Sequence, residues 1–98
     1  MGYKISKKAL ADIEEIWDHT AENWSTEQAD RYYNLIFEEI EFIAENPLTG
    51  KDYSHIRKNY RSSIVKSHLV FYRINNKKHE VEIIRVLHQR MDVEDRMK

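Results

Sequence analysis

The sequence has no cysteine, only two glycines and one proline, and no long apolar run. Without cysteine the chain has neither a disulfide framework nor a thiolate site. No stretch reaches the roughly 18 apolar residues that a membrane-spanning helix needs, and the first residues lack the apolar run of a signal peptide. These absences favour a protein of the reducing cytoplasm with no membrane partner. The scarcity of glycine and proline also argues against long flexible linkers.

The chain of 98 residues has the length of one domain, which we place at residues 1–98. Its formal net charge of −1 hides a marked division. Residues 1–46 carry 4 Lys and Arg against 11 Asp and Glu, whereas residues 47–98 carry 12 against 6 and four of the five histidines. This asymmetry favours an anionic partner for one face, although basic side chains on strands also serve to prevent edge pairing.

Two amphipathic helices are predicted in the acidic half. The first follows a short strand at residues 3–5 and begins after Ser6, whose hydroxyl can cap the first turn. The second begins after Ser25, which forms a capping-box pattern with Gln28, and ends at Asn46 because a residue before proline avoids the α region. The short break between the helices favours an antiparallel hairpin. The predicted buried faces consist of Leu10, Ile13, Ile16, Trp17 and Trp24 in the first helix and Ala29, Tyr33, Ile36, Ile40 and Ile43 in the second, with Glu38, Glu39 and Glu41 in water.

After Gly50 the apolar period changes to two. Residues 51–59 are predicted to form a loop, and strands are predicted at residues 60–67, 68–74 and 80–87. Asn75 to Lys78 would close a hairpin, and residues 91–98 would form a short helix or a frayed tail. The predicted order is β-α-α-β-β-β. The fold class is therefore α+β, with a two-helix hairpin packed on one face of a small, mainly antiparallel sheet.

The last predicted strand leads into the most informative segment, Arg85-Val86-Leu87-His88-Gln89-Arg90-Met91-Asp92. Apolar residues fill a buried strand, whereas arginine and histidine at its end face water or a partner. We therefore predict that Arg85, His88, Gln89 and Arg90 bind a partner, and that Arg85, His88 and Arg90 affect function more than stability. Alternatively, Arg85 forms a structural ion pair with Glu80 or Glu82 across the hairpin.

No metal or cofactor is expected. The five histidines lack the spacing of a metal site, and no glycine-rich phosphate loop occurs. His68, beside an apolar strand, is predicted to be a half-buried histidine with a satisfied hydrogen bond.

Several short motifs together identify a family. They are Tyr3-x-Ile5-Ser6, residues 9–16, Trp24-Ser25-x-x-Gln28-Ala29-x-x-Tyr32, Asn46-Pro47-Leu48-Thr49-Gly50, His68-x-x-Phe71-Tyr72-Arg73 and Arg85 to Asp92. In this order, over nearly the whole chain, the sequence resembles the RelE/ParE superfamily of type II toxins, and specifically its ParE-like branch. The resemblance implies a bacterial toxin of the plasmid-stabilisation type, neutralised by a cognate antitoxin. ParE-like members are associated with poisoning DNA gyrase, and RelE-like members cleave mRNA on the ribosome.

The two branches imply different chemistry. An RNA-cleaving toxin needs a general acid or base beside clustered cations, and here His88 with Arg61, Arg73 and Arg85 would supply them. RNase members, however, tend to place a tyrosine or histidine after the last strand, and this chain has no tyrosine beyond Tyr72. Its acidic residues 92–95 would also repel RNA phosphates.

We therefore favour a non-enzymatic gyrase-binding toxin with no catalytic residues. The alternatives are a ribonuclease and an inactive module that only binds an antitoxin. The sequence does not distinguish a toxin that contacts nucleic acid directly from one that contacts only protein.

Overall fold

The sheet and helices of the computed structural model follow the predicted α+β plan, and the structure describes residues 1–97. The elements are β1 (Gly2–Ile5), α1 (Lys7–Asn23), α2 (Thr26–Glu45), a 3₁₀ turn (Pro47–Thr49), β2 (Lys51–Asp52), β3 (Tyr60–Val65), β4 (His68–Asn75), β5 (Glu80–His88) and α3 (Val93–Met97). The sheet order is β1-β5-β4-β3-β2. β1 runs parallel to β5, and the other pairs are antiparallel. The mainly antiparallel sheet is thus confirmed.

Side-chain caps define where the two long helices begin, as predicted. The Ser6 hydroxyl accepts a hydrogen bond from the Ala9 amide at 3.0 Å, and the Ser25 hydroxyl accepts one from the Gln28 amide at 3.0 Å. Each bond satisfies an N–H group that the first turn of a helix leaves without a partner. α2 ends at Glu45, with Asn46 as its cap.

The predicted buried faces of the helices are correct at their centres and wrong at three positions. Trp24 is 71% exposed because it follows the end of α1, at the tip of the hairpin, where helical spacing no longer applies. Leu10 is exposed because the adjacent Ala9 takes the buried position. Tyr33 is also exposed, and its neighbour Tyr32 packs against the core instead. The position of Glu39 is also corrected, since it is half-buried and accepts a hydrogen bond from the Ser63 hydroxyl.

Two apolar clusters lie on the two faces of the sheet. The main cluster joins α1 and α2 to the sheet and comprises Ala9, Ile13, Ile36, Ile40, Ile43, Val65, Val70, Tyr72, Ile74, Val81, Ile83 and Val86. The smaller cluster comprises Phe71, Leu87 and Met97, with partly buried neighbours that include Tyr60 and Ile84. Because side chains alternate along a strand, Phe71 and Leu87 point away from the long helices, and α3 covers them through Met97. The C-terminal segment is therefore a docked short helix.

The predicted loop at residues 51–59 contains a two-residue strand, β2, because Lys51 and Asp52 pair with Ser62 and Arg61 of β3. A run of two residues is too short for alternation to appear in the sequence. Since β2 begins at Lys51, opposite Ser62, the outer edge of β3 has no neighbouring strand along residues 63–65 within the described chain. The side chain of Ile64 on this open edge is 59% exposed.

Tyr72 forms hydrogen bonds with the segment that links α2 to the sheet. Its buried hydroxyl donates to the Pro47 carbonyl at 2.7 Å and accepts from the Gly50 amide at 3.1 Å. Burial raises the pKa of Tyr72. A Cβ atom on Gly50 would lie 2.2 Å from the Tyr72 hydroxyl, so this close approach requires glycine. Arg61 also stabilises this segment, because its side chain donates to the Gly50 carbonyl at 2.8 Å.

No helix within residues 1–97 combines the length and the apolar character that crossing a membrane requires.

Candidate functional site

A groove of about 610 Å³ lies where the C-terminal half of α1 meets the end of β5. Its lining combines apolar side chains with histidine, arginine and acidic side chains. The lining residues are Asp12, Glu15, Ile16, His19, Thr20, His68, Arg85, Val86, Leu87, His88, Arg90, Met91 and Arg96. We call it the β5 groove. An apolar groove with a few convergent polar groups is the usual form of a binding site.

Arg85 is held inside the protein by Asp12 of α1. Its Nε and Nη2 atoms donate to the two Asp12 carboxylate oxygens at 2.8 and 2.9 Å, and the side chains are only 19% and 12% exposed. The pairing between β4 and β5 shifts at this point, between Phe71 and Tyr72. The Val86 amide also donates to Asp12, at 3.0 Å. The predicted ion pair of Arg85 therefore exists, but its partner is Asp12 and neither Glu80 nor Glu82.

Arg85 has little contact with water. It lies within β5, as the predicted strand at residues 80–87 implies, but its side chain is only 19% exposed and does not face water as expected. Removing one partner of a half-buried, bidentate ion pair leaves a charge without compensation, which is strongly destabilising. We therefore expect Arg85 to contribute to the stability of the site, and its role in binding a partner stays a prediction.

His68 and His88 lie face to edge in the groove, with ring centroids 5.1 Å apart. The Nδ1 atom of His68 is 2.6 Å from the Tyr32 hydroxyl, which also donates to the Val65 carbonyl at 3.1 Å. Burial, together with repulsion from His88 and His19, lowers the pKa of His68 to about 4. His68 is therefore neutral near pH 7, and the half-buried, hydrogen-bonded histidine that was predicted is confirmed.

The segment that follows β5 presents its polar groups outward. Nδ1 of His88 accepts a hydrogen bond from the Arg90 amide at 3.1 Å, and the Gln89 amide donates to the Ser67 carbonyl at 2.9 Å. The Arg90 side chain is exposed, and within residues 1–97 it has no carboxylate partner. The backbone of this segment is thus fixed while its side chains remain available. His88 and Arg90 line the groove, and the exposed Gln89 lies beside it.

The four residues of the RNase alternative do not form one cluster. Arg61 lies at the 3₁₀ turn, where it donates to the Leu48 and Gly50 carbonyls. Arg73 forms an ion pair with Glu82, with Nε donating to Oε1 at 2.8 Å. Only Arg85 shares the groove with His88.

Sequence reasoning missed four residues of the site. Asp12, His19 and Tyr32 lie far from residues 85–90 along the chain, and no local motif links them to this segment or to Arg96, six residues beyond Arg90. A polar Asp12 on α1 has the pattern of an ordinary solvent-facing residue, so nothing in the sequence indicates its partner. Among residues 1–97, no group of three or more His, Asp or Glu side chains has the geometry of a metal site.

Comparison with known proteins agrees with the fold and the motifs. Residues 3–93 match the family described as the ParE toxin of the type II toxin-antitoxin system, parDE. Toxin ParE1 of Caulobacter vibrioides is 42% identical over 90 residues, which cover 92% of this chain and 91% of that protein. Toxin ParE1 of Mycobacterium tuberculosis is 40% identical over 92 residues, which cover 94% and 93%.

A solved structure described as the chromosomal ParDE TA system from P. aeruginosa has the same fold. Its TM-score is 0.76 at 22% identity, with 90% of this chain and 95% of that chain covered. The family model spans nearly the whole chain, and the two relatives exceed what chance similarity gives over this length. The chain therefore belongs to the ParE toxin family of type II toxin–antitoxin systems.

Proposed function

We propose that this chain is a cytoplasmic toxin that inhibits DNA gyrase by binding it, without catalysis, and that a cognate antitoxin neutralises it. The observation that carries the proposal is the contrast among the arginines. Arg61, Arg73 and Arg85, which phosphodiester cleavage would require, are all engaged with carbonyl or carboxylate groups. Arg90 is exposed beside the groove, in a form suited to recognising a partner surface.

The binding surface for gyrase is proposed to be His88, Gln89 and Arg90. Exposed charges at an interface act through complementarity with the partner and through the association rate. In this role His88 supplies a hydrogen bond and an aromatic surface, and no proton transfer is required. Arg90 supplies the charge, so its loss should be the more damaging of the two.

The test compares His88→Gln and Arg90→Ala with the wild type in an inducible toxicity assay. Plasmid supercoiling and mRNA integrity are measured in the same cells. His88→Gln keeps a hydrogen-bonding group that cannot titrate. We expect it to retain much of the toxicity and Arg90→Ala to lose most of it, with loss of supercoiling or DNA damage in toxic cells. Lys77→Ala, in the β4–β5 turn, is the matched control for loss of a surface cation.

Ribonuclease activity would give a different result. A general acid or base typically contributes about 10²–10⁴-fold to the rate, so His88→Gln would then abolish toxicity. Abolished toxicity together with mRNA cleavage that depends on the wild-type protein would overturn the gyrase proposal.

The antitoxin is proposed to occupy the open edge of β3. An unpaired strand edge binds an extended segment through backbone hydrogen bonds, and exposed side chains add specificity. The exposed Ile64 projects from this edge, and a surface depression lined by Lys51, Ile64 and Leu69 runs along it. Trp24 and Phe42 provide further exposed apolar surface on the helical hairpin. A segment with acidic and apolar residues matches this combination.

We expect the complex to have nanomolar affinity or tighter, which corresponds to about −12 kcal/mol. Co-expression of the chain with the proposed antitoxin, a small protein expected to be encoded beside its gene, should give a complex that co-purifies. Ile64→Lys should weaken it by roughly 10-fold or more because it removes apolar contact area. Lys77→Ala should have no effect. Failure of the two proteins to co-purify would contradict the proposed partner, and unchanged affinity of Ile64→Lys would contradict only the proposed edge.

A further inference from the structure

A second concave site lies on the far side of Arg85 from the β5 groove, between the start of α1, α3 and the loop before β3. It has a volume of about 290 Å³. The charged side chains that line it are Lys7, Lys8, Arg57, Arg85 and Arg96, and the ring of Tyr60 lies among them. No aspartate or glutamate within residues 1–97 contributes to its lining. We call this site the basic cleft.

Four of the five cations of the basic cleft form no ion pair within residues 1–97. Of the five, only Arg85 has a carboxylate partner within the described chain, and that partner is Asp12. Lys7, Lys8, Arg57 and Arg96 form no ion pair there. Lys7, Lys8 and Arg57 are also exposed, so their charges are available to a ligand. The acidic residues 92–95, which the sequence places close by, do not line the cleft.

The position of Lys7 and Lys8 is locally unfavourable. They occupy the first turn of α1, which contains no acidic residue, and a positive charge there opposes the helix dipole. They also repel each other and the arginines across the cleft. A natural sequence accepts such a conflict mainly at functional sites, where a ligand compensates for it. An anion in the cleft would relieve both conflicts at once.

The charge division of the molecule points in the same direction. Residues 9–46 carry one Arg against eleven Asp and Glu, a net charge of −10. The remaining residues, which include the first turn of α1 and the whole β2–α3 region, carry 15 Lys and Arg against 6 Asp and Glu, a net charge of +9. Folding places Lys7 and Lys8, from the acidic half of the sequence, beside Arg57 and Arg96 of the basic half.

We propose that the basic cleft binds the phosphodiester backbone of a nucleic acid. Duplex DNA carries one negative charge per roughly 1.7 Å of helix axis, which supplies several fixed charges to a site this small. Arginine and lysine side chains are the usual partners of phosphate oxygens, and a tyrosine can add a hydrogen bond or a stacking surface. Contacts of this kind carry no sequence information, so binding should be largely independent of base sequence. The proposal concerns binding only, and it does not depend on gyrase being the target.

The test measures fluorescence anisotropy of a short labelled DNA duplex as the purified chain is added, at salt concentrations from about 50 to 200 mM. Contact with about four phosphates predicts a slope of about −3 to −4 in a plot of log K against log salt. A dissociation constant of about 10⁻⁶–10⁻⁴ M is expected, which is the range of non-specific binding. A single-stranded RNA of the same length, run in parallel, identifies which nucleic acid is the better source of the phosphates.

The decisive variant is the double substitution Lys8→Glu with Arg57→Glu. Glutamate in the first turn of α1 favours the helix, so the variant should fold, and its melting temperature is checked. We expect at least a 10-fold loss of affinity and a shallower salt slope, by about one for each lost contact. Lys77→Glu with Lys78→Glu is the matched control, because it makes the same charge change in the β4–β5 turn outside the cleft.

Three results would overturn the proposal. These are no binding of either nucleic acid at the lowest salt, equal weakening by the cleft and control variants, and binding of polyglutamate as tight as that of DNA. The last would assign the cleft to an acidic protein segment. Since gyrase and the antitoxin are absent from the assay, none of these results bears on the proposed toxin function.

Discussion

Arg85 and Arg90 lie on the same segment of the chain and have different surroundings. Arg85 lies within β5, is mostly buried, and donates from two of its three guanidinium nitrogens to Asp12. Arg90 lies beyond the strand, is exposed, and has no carboxylate partner within residues 1–97. The comparison teaches that residue type does not decide the role of a cation. The role depends on whether the fold brings a carboxylate to it.

The comparison predicts its largest effect at Asp12. Asp12→Ala removes the acceptor of both Arg85 and the Val86 amide, and leaves a half-buried charge without a partner. We expect a loss of about 3–5 kcal/mol in the free energy of unfolding, measured by urea denaturation. Asp18→Ala, an exposed position on the same helix, should change it by no more than about 0.5 kcal/mol. Similar losses at both positions would show that the buried pair contributes little.

The apolar part of β5 gives the second prediction. Ile83 is fully buried between the sheet and the long helices, so Ile83→Ala creates a cavity and should cost about 2–5 kcal/mol. Ile64→Ala makes the same chemical change at a side chain that is 59% exposed, and should cost much less. Equal shifts in melting temperature for the two variants would contradict the assignment of strand faces.

A smaller effect is expected from His68. Its pKa of about 4 in the folded state lies below the unfolded value of 6.5, so the unfolded chain binds more protons between these values. The contribution of neutral His68 to the free energy of unfolding should therefore be fully present above about pH 6.5 and should decrease as the pH falls towards 4. Since His68 is partly exposed, we expect a loss on the order of 1 kcal/mol after allowance for solvent screening. His68→Gln should make the free energy of unfolding less dependent on pH in this range. An unchanged pH dependence would contradict the assignment of this effect to His68.

The smallest effect on stability is expected at Arg90. Arg90→Ala should change the free energy of unfolding by no more than about 0.5 kcal/mol, because the side chain is exposed. The same substitution should remove most of the toxicity under the proposed function. Arg85→Ala, in contrast, should cause a large loss in the free energy of unfolding, measured in the same denaturation series. If Arg90→Ala unfolds the protein, the distinction between the two arginines fails.

The sequence predicts the fold well because most of the information is local. Caps at Ser6 and Ser25, the stop at Asn46 and the change of period after Gly50 each depend on neighbouring residues. The errors lie where tertiary contacts decide. Trp24 has helical spacing but lies past the end of α1. The strand β2 is too short to show an alternation of apolar and polar residues.

The candidate site was less predictable than the fold. The prediction that His88, Gln89 and Arg90 bind a partner rests on their place at the end of a strongly apolar strand, and it stays a prediction. The ion pair of Arg85 was predicted with the wrong partner, because Asp12 is far away in sequence and looks like any solvent-facing residue of a helix. The sequence does not predict the basic cleft, for the same reason. Lys7 and Lys8 belong to the acidic half and lie beside Arg57 and Arg96 only after folding. Pairing between distant segments cannot be read from one sequence.

The pairing of β1 with β5 has a consequence for the time at which this protein becomes functional. Residues 2–5 are made well before their strand partners, residues 80–83. The sheet therefore cannot be completed on the ribosome until residues 80–83 have emerged. The β5 groove and the basic cleft both need residues beyond 83, so neither exists in a nascent chain. Translation itself delays the appearance of a competent molecule, and a partner already present in the cell can meet the chain as soon as it folds.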